Sequence, residues 1–133
     1  MRSFLKLLLI AVPLFVCGSI QAQDKSPDAF ASISKYISQG NAEALSAWFA
    51  DNLEITVLSR GGTSSKAQAK QILKTFFESH TPRSFNITHT AGRANMKYAL
   101  GTLNAGGENY LITIFVSVKD GSFFIQQLKI DRV

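Results

Sequence analysis

Tyr110-Leu111-Ile112-Thr113-Ile114-Phe115-Val116-Ser117-Val118 is followed by the turn pair Asp120-Gly121 and then by Phe123-Phe124-Ile125-Gln126-Gln127-Leu128-Lys129-Ile130-Asp131-Arg132. Both runs repeat with a period of two, which places successive side chains on opposite faces of an extended chain. The same period begins near Arg83. It predicts four strands close to Ser84–Ala91, Lys97–Leu103, Tyr110–Val118 and Phe123–Arg132, with turns at Gly92-Arg93, Gly106-Gly107 and Asp120-Gly121. Connections this short join neighbouring antiparallel strands, so the C-terminal half reads as a meander.

Upstream of Arg83 the period is helical. Ser65 and Gln68 form a capping box, after which Ala69, Ile72, Leu73, Phe76 and Phe77 share one helix face while Lys66, Lys70 and Lys74 run along another. That lysine stripe reads as a solvated face. Earlier, Ser26-Pro27-Asp28 has the chemistry of a helix start, and Phe30, Ile33 and Ile37 follow at three- and four-residue spacing up to Gly40. Asn41 caps a second predicted helix with Leu45, Trp48 and Phe49 on its buried side, closed at Asp51-Asn52. Leu53, Ile55 and Val57 then alternate as a short strand, and Ser59 to Ser64, with Gly61-Gly62, reads as a turn. Helices gathered early and strands gathered late define an α+β domain, with three N-terminal helices packed on a curved, mainly antiparallel sheet.

The first 22 residues read differently from the rest. Arg2 and Lys6 precede an apolar run from Leu7 to Val16, and small or polar residues lead to a cleavage position after Ala22. This is the three-part pattern of a signal peptide, too short in its apolar run to span a membrane. The expected organisation is a signal peptide over 1–22 and one domain over 23–133, exported to the periplasm or cell envelope with no transmembrane anchor. A lipid anchor on Cys17 fits poorly, because bulky Val16 and Phe15 precede it. Removal of this segment takes Cys17, the single cysteine, with it. Disulfides, thiolate catalysis and cysteine-ligated metals are then excluded together. The mature chain keeps 12 basic and 9 acidic side chains, a net of +3 without a basic tract, which gives no footprint for nucleic acid.

The order of elements, with Gly40-Asn41-Ala42-Glu43-Ala44-Leu45 leading into Trp48-Phe49 and Asp51-Asn52-Leu53, is similar to nuclear-transport-factor-two-like (cystatin-like) proteins. Ser65-Lys66-Ala67-Gln68-Ala69, Tyr98-Ala99-Leu100-Gly101-Thr102-Leu103 and Ile125-Gln126-Gln127-Leu128-Lys129-Ile130 more specifically resemble an exported Bacteroidota family known only as domain of unknown function 4783. The resemblance implies a cone-like fold whose sheet wraps a long helix. In the wider superfamily that cone serves catalysis, ligand binding or dimerisation; the narrower family brings no activity with it.

Chemistry-bearing residues are few. His80 and His89 are the only histidines, and neither has cysteine or paired carboxylates nearby, so no metal and no cofactor is expected. His89 alternates in phase with Phe85 and Ile87, which would turn it into the cone as an acid or base. Gln126 alternates with Phe124, Leu128 and Ile130, which would aim its amide inward. With Tyr36, Trp48 and Tyr98 these form the candidate pocket: Tyr36, Trp48, His89, Tyr98 and Gln126. The leading expectation is a non-catalytic domain that binds a small apolar ligand in the cone or forms a homodimer through its sheet. One alternative is an isomerase or cyclase using His89 with Tyr36 or Tyr98 as hydrogen-bond donor; another is a protein-interaction module.

Overall fold

The computed structural model describes residues 28–133. The signal segment assigned to 1–22, Cys17 and the Ser26-Pro27 start of the first helix lie outside the described residues. Within them the chain runs α1 (Asp28–Gln39), α2 (Ala42–Ser46), β1 (Phe49–Val57), β2 (Arg60–Ser65), α3 (Lys66–Ser79), β3 (Pro82–Arg93), β4 (Met96–Ala105), β5 (Glu108–Lys119) and β6 (Ser122–Arg132). The six strands form one curved sheet in the order β2-β1-β6-β5-β4-β3, parallel only between β1 and β6.

Each helix is held where local chemistry requires it. Asn41 Oδ1 accepts from the Ala44 amide at 3.0 Å, as its capping role predicts. The second helix is much shorter than expected, however, and Phe49 opens a strand instead of closing a helix. Ser46 Oγ donates to the Glu43 carbonyl, the Ala47 and Trp48 amides donate three residues back, and the Trp48 carbonyl is captured by the Ile125 amide of β6. Sheet pairing thus overrides a helical periodicity that only a few residues supported. At Ser65 the predicted capping box is present, with both reciprocal bonds at 3.2 Å. The following helix buries Ala69, Leu73, Phe76 and Phe77 against the sheet.

The segment Ser59–Ser64 is a second correction, because it is mostly strand. Val57 pairs with Arg60, leaving a two-residue loop of Leu58 (φ 52°) and Ser59 (φ 71°). Gly61 belongs to the ladder; a Cβ there would run into the Ile55 carbonyl oxygen, so the glycine is required by close approach of β1 and β2. The β3–β4 turn is also displaced, to Ala94-Asn95, and Gly92 pairs with Lys97 inside the strands.

The helices cover one face of the sheet. Ile33, Ile37, Leu45, Leu73, Phe76 and Phe77 pack there against Leu103, Tyr110, Ile112, Ile114, Ile125 and Leu128, all at most 6% exposed. Burying these side chains supplies the main favourable term of folding, roughly 1.5–3 kcal/mol each before entropy is charged.

Candidate functional site

Cross-strand partners share a face, so the register identifies what each side of the sheet presents. Thr90, Ala99, Ile114, Leu128 and Ile55 form one row on the covered face. The neighbouring rows face away from the helices. One contains Ala91, Tyr98, Phe115, Gln127 and Glu54; the next contains His89, Leu100, Thr113, Lys129 and Thr56. The outer side of β4 and β5 is partly buried and apolar around Tyr98, Leu100, Leu111 and Phe115, whereas β3 presents Ser84, Asn86, His89 and Arg93 there, and no described element covers this face.

Tyr98 and Phe115 are directly opposed and stack at 5.1 Å with rings 21° apart. His89 meets the Tyr98 ring edge-on at 6.2 Å. Met96, 45% exposed, extends the patch towards the β3–β4 turn, where a cleft of about 500 Å³ is lined by Gly92, Arg93, Asn95, Met96, Tyr98 and Phe115. A second opening of about 450 Å³ lies at the start of α1, between Phe30, Phe123, Ala91 and Lys97.

Of the five predicted site residues only His89 and Tyr98 are brought together, on the outer face of the sheet. His89 and Gln126 both miss the cone for the same reason. A bulge between Ile87 and His89 inserts Thr88 as an unpaired residue, so His89 pairs with Leu100 and is exposed on the outer face. A second bulge sits opposite Phe115 and Val116, which pair with Gln127 and Ile125. It leaves Gln126 as the extra residue, exposed, with its Nε2 donating to Ser117 Oγ at 2.9 Å. One inserted residue reverses the side-chain phase beyond it. Tyr98 is on the outer face as well. Tyr36 and Trp48 are half-buried against the core on the helix side, across the sheet from His89. The cone arrangement expected for an isomerase or cyclase is not the one seen: His89 does not enter the cone, and of its two expected donors Tyr98 adjoins it on the outer face while Tyr36 lies on the opposite side of the sheet.

Sequence reasoning also passed over His80, which ends α3 and stacks on Phe76 at 4.4 Å. Its signal was the i, i+4 spacing of two rings in the last turn of a helix. Among the described residues no cluster of three or more His, Cys, Asp or Glu is placed to hold a metal ion. No described helix is long and apolar enough to cross a membrane.

The 14-residue α3 packed on a curved six-stranded sheet, with α1 and α2 ahead of the first strand, gives the α+β fold class seen in NTF-2-like and cystatin-like proteins. A cystatin-like domain of unknown function from Nostoc punctiforme superposes with a TM-score of 0.62 at 12% identity over 78% of this chain and 72% of its own. An NTF-2-like protein of unknown function from Silicibacter pomeroyi gives 0.60 at 12% identity over 78% and 89%. Within that class the chain belongs to the family described as domain of unknown function DUF4783, whose model matches residues 30–131. A DUF4783 protein from Bacteroides uniformis superposes with a TM-score of 0.75 at 21% identity, covering 82% of this chain and 98% of that one. No curated protein matches the chain.

Proposed function

We propose that this is an exported, non-catalytic domain that forms a homodimer through the outer face of β3, β4 and β5. The observation that carries the reading is the stacked Tyr98–Phe115 pair, bordered by Leu100, Met96 and His89, on a sheet face that no described element covers. Aromatic rings with low rotamer entropy are the usual anchors of protein interfaces. A second copy is favoured over a charged partner because this side of the sheet carries both signs: Arg93 beside the patch, and on β1 and β6 Glu54 and Lys129, the latter paired with Asp131 at 3.8 Å. A two-fold contact then lays apolar surface on apolar surface and meets no block of like charge. The basic, apolar and small-residue order of residues 2–22 supports export.

The small apolar ligand has a separate seat in this reading. The interior of the cone is filled by side chains, so the ligand would lie in the cleft of about 450 Å³ beside the start of α1, its apolar part against Phe30 and Phe123, with Thr90 and Lys97 at the margin.

Sedimentation velocity on the protein expressed from the full sequence and recovered after export tests the dimer, and its intact mass tests cleavage after Ala22. A dimer at micromolar concentration that becomes a folded monomer on Phe115→Lys supports the proposal. A monomer at every concentration, or a Phe115→Lys dimer, removes it.

A further inference from the structure

On the helix side of the sheet, at the edge far from β3, the end of α3 and the start of β2 border a shallow, open groove of about 430 Å³. Val57, Ile72 and Phe76 give it an apolar floor, and Arg60, Thr75 and His80 stand at its margin. One wall is rigid. The His80 ring lies parallel to Phe76, 11° apart, and meets the edge of fully buried Tyr110 at 5.7 Å. Its Nδ1 is 3.1 Å from the Phe76 carbonyl oxygen, which also accepts the His80 backbone amide. A carbonyl only accepts, so Nδ1 carries the hydrogen, and that carbonyl's two lone pairs are both used.

Arg60 is the one Lys or Arg that lines this groove. Elsewhere Lys70 is paired with Glu43, Lys129 with Asp131 and Arg132 with Glu108, while the other described lysines and arginines, like Arg60, have no ion pair. Arg60 makes no ion pair with any described residue, and no aspartate or glutamate lines the groove. A guanidinium without a counter-ion beside an apolar floor is complementary to an anion that carries hydrocarbon. A single guanidinium presents one planar fork, which suits a carboxylate; a dianionic phosphate would want a second cation.

We infer that this groove binds a small amphiphilic monocarboxylate, with its apolar body on Val57, Ile72 and Phe76 and its carboxylate on Arg60. The site is independent of the outer face. Its occupation neither requires nor reports the dimer.

Amide chemical-shift titration of the full chain with 2-naphthylacetate and with its uncharged counterpart 2-naphthylacetamide tests the assignment. Saturable shifts should be confined to Gly61, Ile72, Thr75 and His80, with the acetate binding about twofold to fivefold tighter, the range expected of an ion pair at an exposed arginine. Arg60→Gln, at an exposed position, should bring the acetate to the level of the acetamide, while Lys66→Gln on the same helix as the groove wall changes nothing. Thr75→Trp, which fills the groove from an exposed position, should abolish binding of both. Absence of saturation, shifts centred elsewhere, equal affinity for the two probes, or an Arg60→Gln protein that still prefers the acetate would each overturn the assignment.

Discussion

The centre of the sheet and its flanks are built differently. β4 and β5 pair through ten consecutive positions, from Met96 with Ser117 to Ala105 with Glu108, without one interruption. The strands on either side carry extra residues, Arg83 and Thr88 in β3 and Gln126 in β6, and β1 shifts register between Phe49 and Glu54. The regular ladder presents an unbroken buried row, Ala99, Gly101, Leu103 and Ala105 against Tyr110, Ile112, Ile114 and Val116. The irregular strands bend around the helices, because a bulge increases local twist. The centre thus supplies the packing surface, and the flanks supply the curvature and carry the polar residues that end outside.

The sharpest way to break this comparison is to truncate the regular centre. Ile114 is fully buried in the row that faces the helices. Ile114→Ala should cost about 2–5 kcal/mol, because the surrounding side chains cannot collapse into the space left. Urea unfolding measures it. A loss below about 1 kcal/mol would mean the centre is loosely packed and the distinction is wrong.

A subtler change at the same place sharpens the comparison. Gly101 faces the core, and a Cβ there would lie 2.5 Å from Phe85 Cζ and 2.9 Å from the Asn86 carbonyl oxygen. The Phe85 ring is itself buried and the second neighbour is backbone, so neither yields freely. Gly101→Ala should destabilise by about 1–3 kcal/mol through overpacking, where an alanine in open strand would have gained. An unchanged midpoint would show that β3 slides easily over β4, and that the flank gives way to the centre.

The same division explains what was legible in the sequence. The alternation of Tyr110–Val118 and the helical stripe of α3 survive because nothing interrupts their period, and the capping box at Ser65 is a purely local device. The approximate positions of the last four strands followed from them. His89 and Gln126 were read by carrying the period across Thr88 and past Ile125, where one additional residue reverses it, and no residue type there announces a bulge. The outer patch was hidden for a related reason. Tyr98 and Phe115 become a stacked pair only once the β4–β5 register is known, and a tyrosine in an alternating strand says nothing about which face is covered.

The β1–β2 hairpin failed to announce itself for a different cause, which leads to the smallest expected effect. Two-residue hairpin loops that need positive φ at both positions favour Asn-Gly or Asp-Gly. The β5–β6 loop follows that rule with Asp120 (φ 53°) and Gly121 (φ 77°). The β1–β2 loop uses Leu58 and Ser59 at φ 52° and 71°, side chains that this conformation disfavours. Leu58 cannot be spared, since its side chain packs on the core and its amide donates to the Ile130 carbonyl at 2.8 Å. Ser59 is exposed, so a glycine there relieves the conformational penalty without removing a buried contact. Against that relief stands the greater freedom that glycine confers on the unfolded chain, worth roughly 0.5–1 kcal/mol. Ser59→Gly should therefore stabilise by about 0.5–1 kcal/mol, raising the unfolding midpoint by a few degrees. A fall in the midpoint would show that Ser59 contributes a contact to the hairpin that outweighs its backbone cost, and that this flank is as closely tied to its side chains as the regular centre.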